Sequence, residues 1–213
     1  MRVSDCDTRI LRGFSHLPGY LCADRQRQVV ADVVAVVAES PLYRPAMPNS
    51  GKPFSVRMTN CGELGWVSDK GGGYRYQRHH PHTGRPWPAM PESLLALWTE
   101  LAGCAALPEA CLINHYEPGT KLGSHVDADE EETRAPVLSV SLGDDAVFHI
   151  GGLRRSAPKT RIELRSGDVV ILGGEARLAY HGLDRIRPGT SDLVPWGGRI
   201  NLTLRRVTET NSG

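Results

Sequence analysis

Residues 125–127 read His-Val-Asp, and a second histidine, His181, follows 56 positions after His125 within Tyr180-His181-Gly182. Two imidazoles and a carboxylate in this pattern suit a facial metal site. Three protein ligands would hold a redox-active Fe(II), and the open positions would admit a cosubstrate and oxygen. On these residues the chain reads as an oxygenase candidate. A His-x-Asp triplet also occurs in chains that bind no metal, so its meaning depends on its company.

Residues 199–207 read RINLTLRRV. Ile200, Leu202 and Leu204 alternate with Arg199, Asn201, Thr203 and Arg205, so a period of two gathers the polar groups on one face of a strand. That face is either the wet side of a half-buried strand or an anchor, since guanidinium groups pair bidentately with carboxylates. An iron oxygenase needs such an anchor for 2-oxoglutarate. CLINHY at 111–116 alternates too and sets Leu112, Asn114 and Tyr116 on a common face, offering an amide and a phenol to the same ligand.

Taken together, NHYEPG at 114–119, HVD at 125–127, YHG at 180–182 and RINLTLR at 199–205 resemble, in order and interval, the AlkB family of Fe(II)/2-oxoglutarate-dependent DNA dealkylases. MTNCGELGW at 58–66 and GRPWPAMP at 84–91 resemble its bacterial members, and the likeness runs from about Ser40 to Val207. The resemblance implies a mainly β fold with flanking helices: a double-stranded β-helix (jelly-roll) core behind an N-terminal nucleotide-recognition lid. It implies that His125, Asp127 and His181 hold iron and form the catalytic centre. Arg199 and Arg205 would bind the carboxylates of 2-oxoglutarate, helped by Asn114, Tyr116 and Asn201. Trp66 would stack on the target base, facing the ligand histidine. Tyr74 and Tyr76 would touch the nucleic acid from the lid, Asp129 would lie beside the base, and Arg155 would contact substrate.

The activity so implied is removal of methyl groups from N1-methyladenine and N3-methylcytosine as formaldehyde, with O2 consumed and 2-oxoglutarate decarboxylated to succinate and CO2. Both lesions are cationic, which Asp129 would favour. Alkylated DNA is the expected partner, preferably single-stranded because a duplex lesion must first be extruded, with RNA a second option. Two other readings stand beside this one. One is a 2-oxoglutarate oxygenase acting on RNA, a protein or a metabolite, of which the last two would not need the basic, aromatic segment before Pro91. A non-enzymatic nucleic-acid-binding jelly roll would be expected to lack a ligand or the carboxylate clamp.

At 213 residues and 40% hydrophobic content the chain fills one sizeable core. A single domain is expected: an extension and helix over 1–40, the lid over about 41–90, helix and catalytic core over about 91–207, and a tail at 208–213. No apolar run is long enough for a bilayer, and the opening MRVSDCDTRI shows no export signal. A cytoplasmic monomer with no membrane contact and no obligate protein partner follows as the expectation. Cys6, Cys22, Cys61, Cys104 and Cys111 are odd in number and free of any C-x-x-C pair, against both a disulfide framework and a zinc site.

Net charge is +1, yet Pro41–Met90 carries seven Arg and Lys against Glu63 and Asp69. This is either an ordinary solvated surface or a track for phosphates. Trp66, Gly71–Gly73, Tyr74, Tyr76 and Trp87 share the stretch, as rings on a flexible loop suited to stacking or as core closure for the tryptophans. His79, His80 and His82 lie in a proline-broken loop without carboxylates and read as solvent-exposed, and the acidic run Asp129–Glu132 reads as solvated apart from Asp129. His16, His115 and His149 read as isolated structural histidines.

The elements that must position these groups follow from periodicity. Asp24 is expected to cap a helix reaching about Ala38, with Val29, Val30, Val33, Val34 and Val37 as its buried stripe. Pro91 opens another helix, striped by Leu94, Leu95, Trp98 and Leu101. Short strands follow at 111–116, 136–142, 146–150, 161–164, 168–172 and 199–207, separated by turn residues. A strand rim should carry His125 and Asp127 near one strand's end and His181 on a facing strand.

Overall fold

The computed structural model describes residues 11–209. Cys6 and the opening segment judged for export lie outside the described residues. In chain order, Phe14–Leu17 (β1) leads to helix Ala23–Glu39 (α1), then to Arg57–Gly62 (β2), Gly65–Asp69 (β3), Gly73–Gln77 (β4) and helix Glu92–Leu101 (α2). Eight strands complete the fold: Ala110–Tyr116 (β5), Leu122–His125 (β6), Val137–Gly143 (β7), Asp145–Ile150 (β8), Thr160–Leu164 (β9), Val169–Leu172 (β10), His181–Arg187 (β11) and Arg199–Arg205 (β12).

The strands make a six-stranded sheet in the order β1-β10-β7-β12-β5-β2, a four-stranded sheet β6-β11-β8-β9 and a separate β3-β4 hairpin, with every pairing antiparallel. Alternation decides what each face of the large sheet meets. Ile200, Leu202 and Leu204 of β12 join Cys111, Ile113 and Leu138 in a cluster with α1 and α2. On the opposite face Leu112, Tyr116 and Met58 pack with Ala146, Leu183 and Ile186 of the small sheet, and Val137, Val170 and Leu172 pack with Phe148, Ile150 and Leu164. Two sheets closed over each other, with helices behind one, are the jelly roll expected from the sequence. Each fully buried aliphatic side chain contributes about 1.5–3 kcal/mol to that closure.

The helices form where expected, with corrections at their edges. The N-cap of α1 is Cys22, and Asp24 stands in the first turn, where a carboxylate favours the positive helix end. Val36 is buried in the stripe while Val34 is exposed. In α2 the buried residues are Leu94, Leu97 and Trp98, with Leu95 and Leu101 half-buried. Strands β1 to β4, β6 and β11 have no counterpart in the periodicity, although a strand rim is expected to carry the three ligand candidates. The aromatic stretch taken for a flexible loop is the β3-β4 hairpin, whose turn is tied by Asp69 Oδ1 accepting from the amides of Gly71 and Gly72. Before β12, Gly198 adopts φ +76, and a Cβ there would stand 2.5 Å from the Tyr116 carbonyl oxygen. Only glycine lets β12 enter alongside β5 at that point.

Candidate metal centre and substrate cavity

His125 ends β6 and His181 begins β11, and the two are direct partners across that antiparallel pair. Their rings lie 4.5 Å apart, and Asp127, two residues past β6, brings a carboxylate oxygen 3.7 Å from His181 Nε2 and another 4.0 Å from His125 Nε2. One ligand atom from each of the three falls within 4.8 Å of the others. The small sheet thus joins candidate ligands that are distant in sequence.

The protonation of the ligands is also arranged. His125 Nδ1 donates to the Gly123 carbonyl (3.0 Å) and His181 Nδ1 to that of Ala179 (2.9 Å), so each Nε2 keeps its lone pair for a metal. Burial, and then the neighbouring His125, lower the pKa of His181 to about 4 against the pull of Asp127. Burial opposes ionisation of Asp127, but Arg205 foremost, with the two histidines and Arg177, holds its carboxyl well below the usual range. The centre therefore offers two imidazole Nε2 atoms and one anion, the donor set of a facial Fe(II) site.

These groups open into a cavity of about 430 Å³ between the sheets, a volume suited to a small-molecule ligand. Its floor is the polar face of β12 and β5, where Asn201 lies opposite Asn114 and Thr203 opposite Leu112. Tyr116 and Arg205 line it as well. Arg205 Nη2 donates to Asp127 Oδ1 (2.8 Å) and its Nε lies 3.2 Å from Glu130 Oε1 as an ion pair without hydrogen-bond alignment. Arg205 Nη1 and Asn114 Oδ1 are buried without a hydrogen-bond partner among the described residues. A buried cationic donor left open on a cavity wall suits a carboxylate ligand.

Arg199 occupies the far end of the same strand face, but it does not line the cavity. It is wholly buried beside Tyr116, its Nη1 donating to the Asp144 carbonyl (3.1 Å) and its Nη2 to Ser141 Oγ (2.6 Å). Burial lowers its pKa to about 10, so it remains charged at neutral pH.

At the mouth, Trp66, Tyr74, Asp129 and Arg155 join His125 in the lining. Trp66 and Tyr74 stack with ring centres 5.5 Å apart, and Trp66 Nε1 donates to Asp129 Oδ2 (2.7 Å). Tyr76 is absent from the lining and instead donates its hydroxyl to Glu130 Oε1. Trp87 is buried and its Nε1 donates to the Gln77 carbonyl, so it closes the core.

The acidic run holds the clearest residue that sequence reasoning missed. Glu130 and Glu132 are buried, which corrects the solvated reading for both. Glu130 accepts from Tyr76 and from Arg177 Nη2 (3.0 Å), while Arg177 Nη1 donates to the Asp127 carbonyl (2.6 Å). A buried network thus runs from the hairpin to the metal-side carboxylate, and a run of four acids gives no signal of it. The histidine loop also departs from expectation: His80 is buried, donating from Nε2 to the Pro41 carbonyl and accepting at Nδ1 from the amides of His82 and Thr83. His149 is not isolated either, since its two ring nitrogens meet Ser124 Oγ and Asp184 Oδ1.

A family model described as the 2OG-Fe(II) oxygenase superfamily matches residues 13–205. The alpha-ketoglutarate-dependent dioxygenase AlkB homolog of Caulobacter vibrioides (strain NA1000 / CB15N) is 54% identical over 200 residues, covering 93% of this chain and 89% of the relative. The alpha-ketoglutarate-dependent dioxygenase AlkB of Escherichia coli (strain K12) is 45% identical, covering 84% of each chain. The solved structure of OsALKBH1 superposes with a TM-score of 0.75 at 30% identity, covering 93% of this chain and 99% of that one.

Proposed function

Since the chain belongs to the AlkB family within the 2OG-Fe(II) oxygenase superfamily, we propose that it removes methyl groups oxidatively from the base nitrogens of nucleic acid. N1-methyladenine and N3-methylcytosine in DNA are its substrates. Fe(II), 2-oxoglutarate and O2 are the cofactor and cosubstrates, and bound iron supplies the oxidation that couples decarboxylation of 2-oxoglutarate to hydroxylation of the methyl group. The products are succinate, CO2, formaldehyde and the restored base.

The observation that carries this reading is the convergence on one cavity of the His125–Asp127–His181 cluster, the unpartnered Arg205 Nη1 and the aromatic pair at the mouth. His125, Asp127 and His181 bind the iron, and Asp127 is the anionic ligand. Arg205 pairs with a carboxylate of 2-oxoglutarate, with Asn114, Tyr116 and Asn201 as further hydrogen-bonding groups on the same wall. Arg199 adds its charge from behind Tyr116, where low polarity strengthens it. Trp66 and Tyr74 offer faces for a flipped base, Asp129 attracts its positive charge, Arg155 holds substrate at the rim, and Tyr76 anchors the hairpin that carries both rings.

Single-stranded DNA is the preferred substrate, because a lesion there needs no unpairing, with RNA a second. A monomer suffices for this activity, since the cluster and the cavity lie within one chain. The test is release of formaldehyde and succinate from a single-stranded oligonucleotide bearing one N1-methyladenine, with Fe(II), 2-oxoglutarate and O2, beside an Asp127→Ala control. Coupled release by the wild type alone is expected. Succinate without demethylated DNA would move the search to RNA, protein or metabolite substrates, and equal activity of the control would refute the assigned ligands.

A further inference from the structure

Behind the two ligand histidines, a hydrogen-bonded chain crosses all four strands of the small sheet. Ser124 Oγ on β6 lies 2.9 Å from His149 Nε2 on β8, His149 Nδ1 lies 2.8 Å from Asp184 Oδ1 on β11, and Asp184 Oδ2 accepts from Arg161 Nε on β9 at 2.9 Å. A carboxylate only accepts, so Nδ1 carries the proton and Nε2 accepts from the serine hydroxyl. His149 must reach over β11 to do this, and the residue it passes is Gly182, its direct partner on that strand. A Cβ on Gly182 would stand 2.8 Å from His149 Cε1 and 2.7 Å from the Leu122 carbonyl oxygen. The glycine of Tyr180-His181-Gly182 thus leaves the imidazole its path.

The placement is specific to the metal centre. Ser124 precedes His125 and Gly182 follows His181, and side chains alternate across a sheet, so the chain grips each strand at the position beside a ligand, from the opposite face. Strand β6 needs this grip. It has four residues, lies at the sheet edge and meets β11 with a register irregularity between His181 and Leu183. A short edge strand with an interrupted ladder fixes its side chains weakly. The order serine, histidine, aspartate also activates nucleophiles in hydrolases. Here the serine sits within a strand and its aspartate is shared with an arginine, an arrangement that serves position.

We propose that Ser124, His149 and Asp184 are positioning residues for the metal centre: by tying β6 to β8 across Gly182 they fix the separation of His125 and His181 and so raise metal affinity. The inference rests on the triad assignment above, and the experiment separates the two. Co(II) alone is titrated calorimetrically into the full chain and into Asp127→Ala, His149→Ala, His149→Gln and Ser124→Ala, with thermal melting of each metal-free protein alongside. The wild type should bind one Co(II) and Asp127→Ala should not. His149→Ala, which frees β6 from β8 without touching a ligand's own hydrogen bond, should weaken binding several-fold, less than the roughly 10–100-fold that loss of a ligand's direct partner costs. His149→Gln, which keeps one donor and one acceptor, should restore most of the affinity. Should His149→Ala fail to fold, Ser124→Ala carries the test with a several-fold loss. Wild-type affinity in His149→Ala or Ser124→Ala, whatever the melting temperature, would overturn the proposal and leave only a strand clamp. Equal Co(II) binding by Asp127→Ala and wild type would instead overturn the triad assignment and the proposal with it.

Discussion

Arg205 has two duties, and two substitutions separate them. It neutralises Asp127 and Glu130 in the buried network, and it presents Nη1 to the cavity. Arg205→Ala leaves the buried Asp127 carboxylate without the cation bonded to it, while Glu130 keeps Arg177, so unfolding in urea should show a loss of about 3–5 kcal/mol. Arg205→Lys keeps the charge but not the planar fork. Most of the stability should therefore return, while the KM for 2-oxoglutarate in steady-state kinetics stays raised about tenfold or more. A lysine variant with wild-type KM would count against Arg205 as the carboxylate anchor. The place of Arg205 on the polar face of β12 was legible because its strand alternates and its neighbours are apolar. That of Glu130 was not: its carboxylate is buried by a hairpin 54 positions earlier in the chain, a contact that no local pattern encodes.

At the scale of elements, the hairpin β3-β4 is pinned to the segment after β6 by two side-chain bonds, Trp66 to Asp129 and Tyr76 to Glu130. Tyr76→Phe removes one of them and leaves the stacked rings in place. The KM for the methylated oligonucleotide should rise several-fold while that for 2-oxoglutarate stays constant, and a rise in both would show that the hairpin and the metal floor move as one. A second pin joins β1 to the turn before β10. Asp168 accepts from His16 (2.9 Å), from the Gly19 amide (2.8 Å) and from the Arg165 amide (3.0 Å). Burial opposes its ionisation, but His16 first and then the two amides lower its pKa below the ordinary carboxylate value. A carboxylate depressed on folding stabilises the native state above its unfolded pKa of about 3.9, and the benefit disappears as pH falls through the lower folded value. Asp168→Asn should therefore be less stable than wild type at neutral pH, and the two should converge in chemical denaturation below about pH 4. Such pins explain what the sequence concealed. Both helices and strands β5, β7 to β10 and β12 announce themselves by period, whereas β1 and β6 are four-residue edges and β3 and β4 pair only with each other in a glycine- and tyrosine-rich run.

Across the whole molecule, the candidate metal ligands meet because β6 and β11 pair at His125 and His181, while β12 lies between β7 and β5 to supply the floor. Motif spacing pointed to this meeting without fixing it, since register is set by which apolar faces close on each other. Charge is likewise a property of the assembled surface. Of the seven basic residues between 41 and 90, Arg44 and Arg57 pair with Glu117 and Arg75 pairs with Asp69. Lys52, Lys70, Arg78 and Arg85 are exposed and have no carboxylate partner among the described residues. If these four neutralise phosphates of a single strand, counterion release fixes the salt dependence: log K against log salt should fall with a slope of about −3, roughly a fifty-fold loss between 50 and 200 mM. Fluorescence anisotropy with an unmodified single-stranded oligonucleotide measures it, and Lys70→Ala should flatten the slope by about 0.7. A slope near zero would remove the basic segment from the interface and leave base stacking on Trp66 and Tyr74 as the main source of affinity. A slope that stayed at wild-type value in all four single variants would place the phosphate contacts on another face of the molecule.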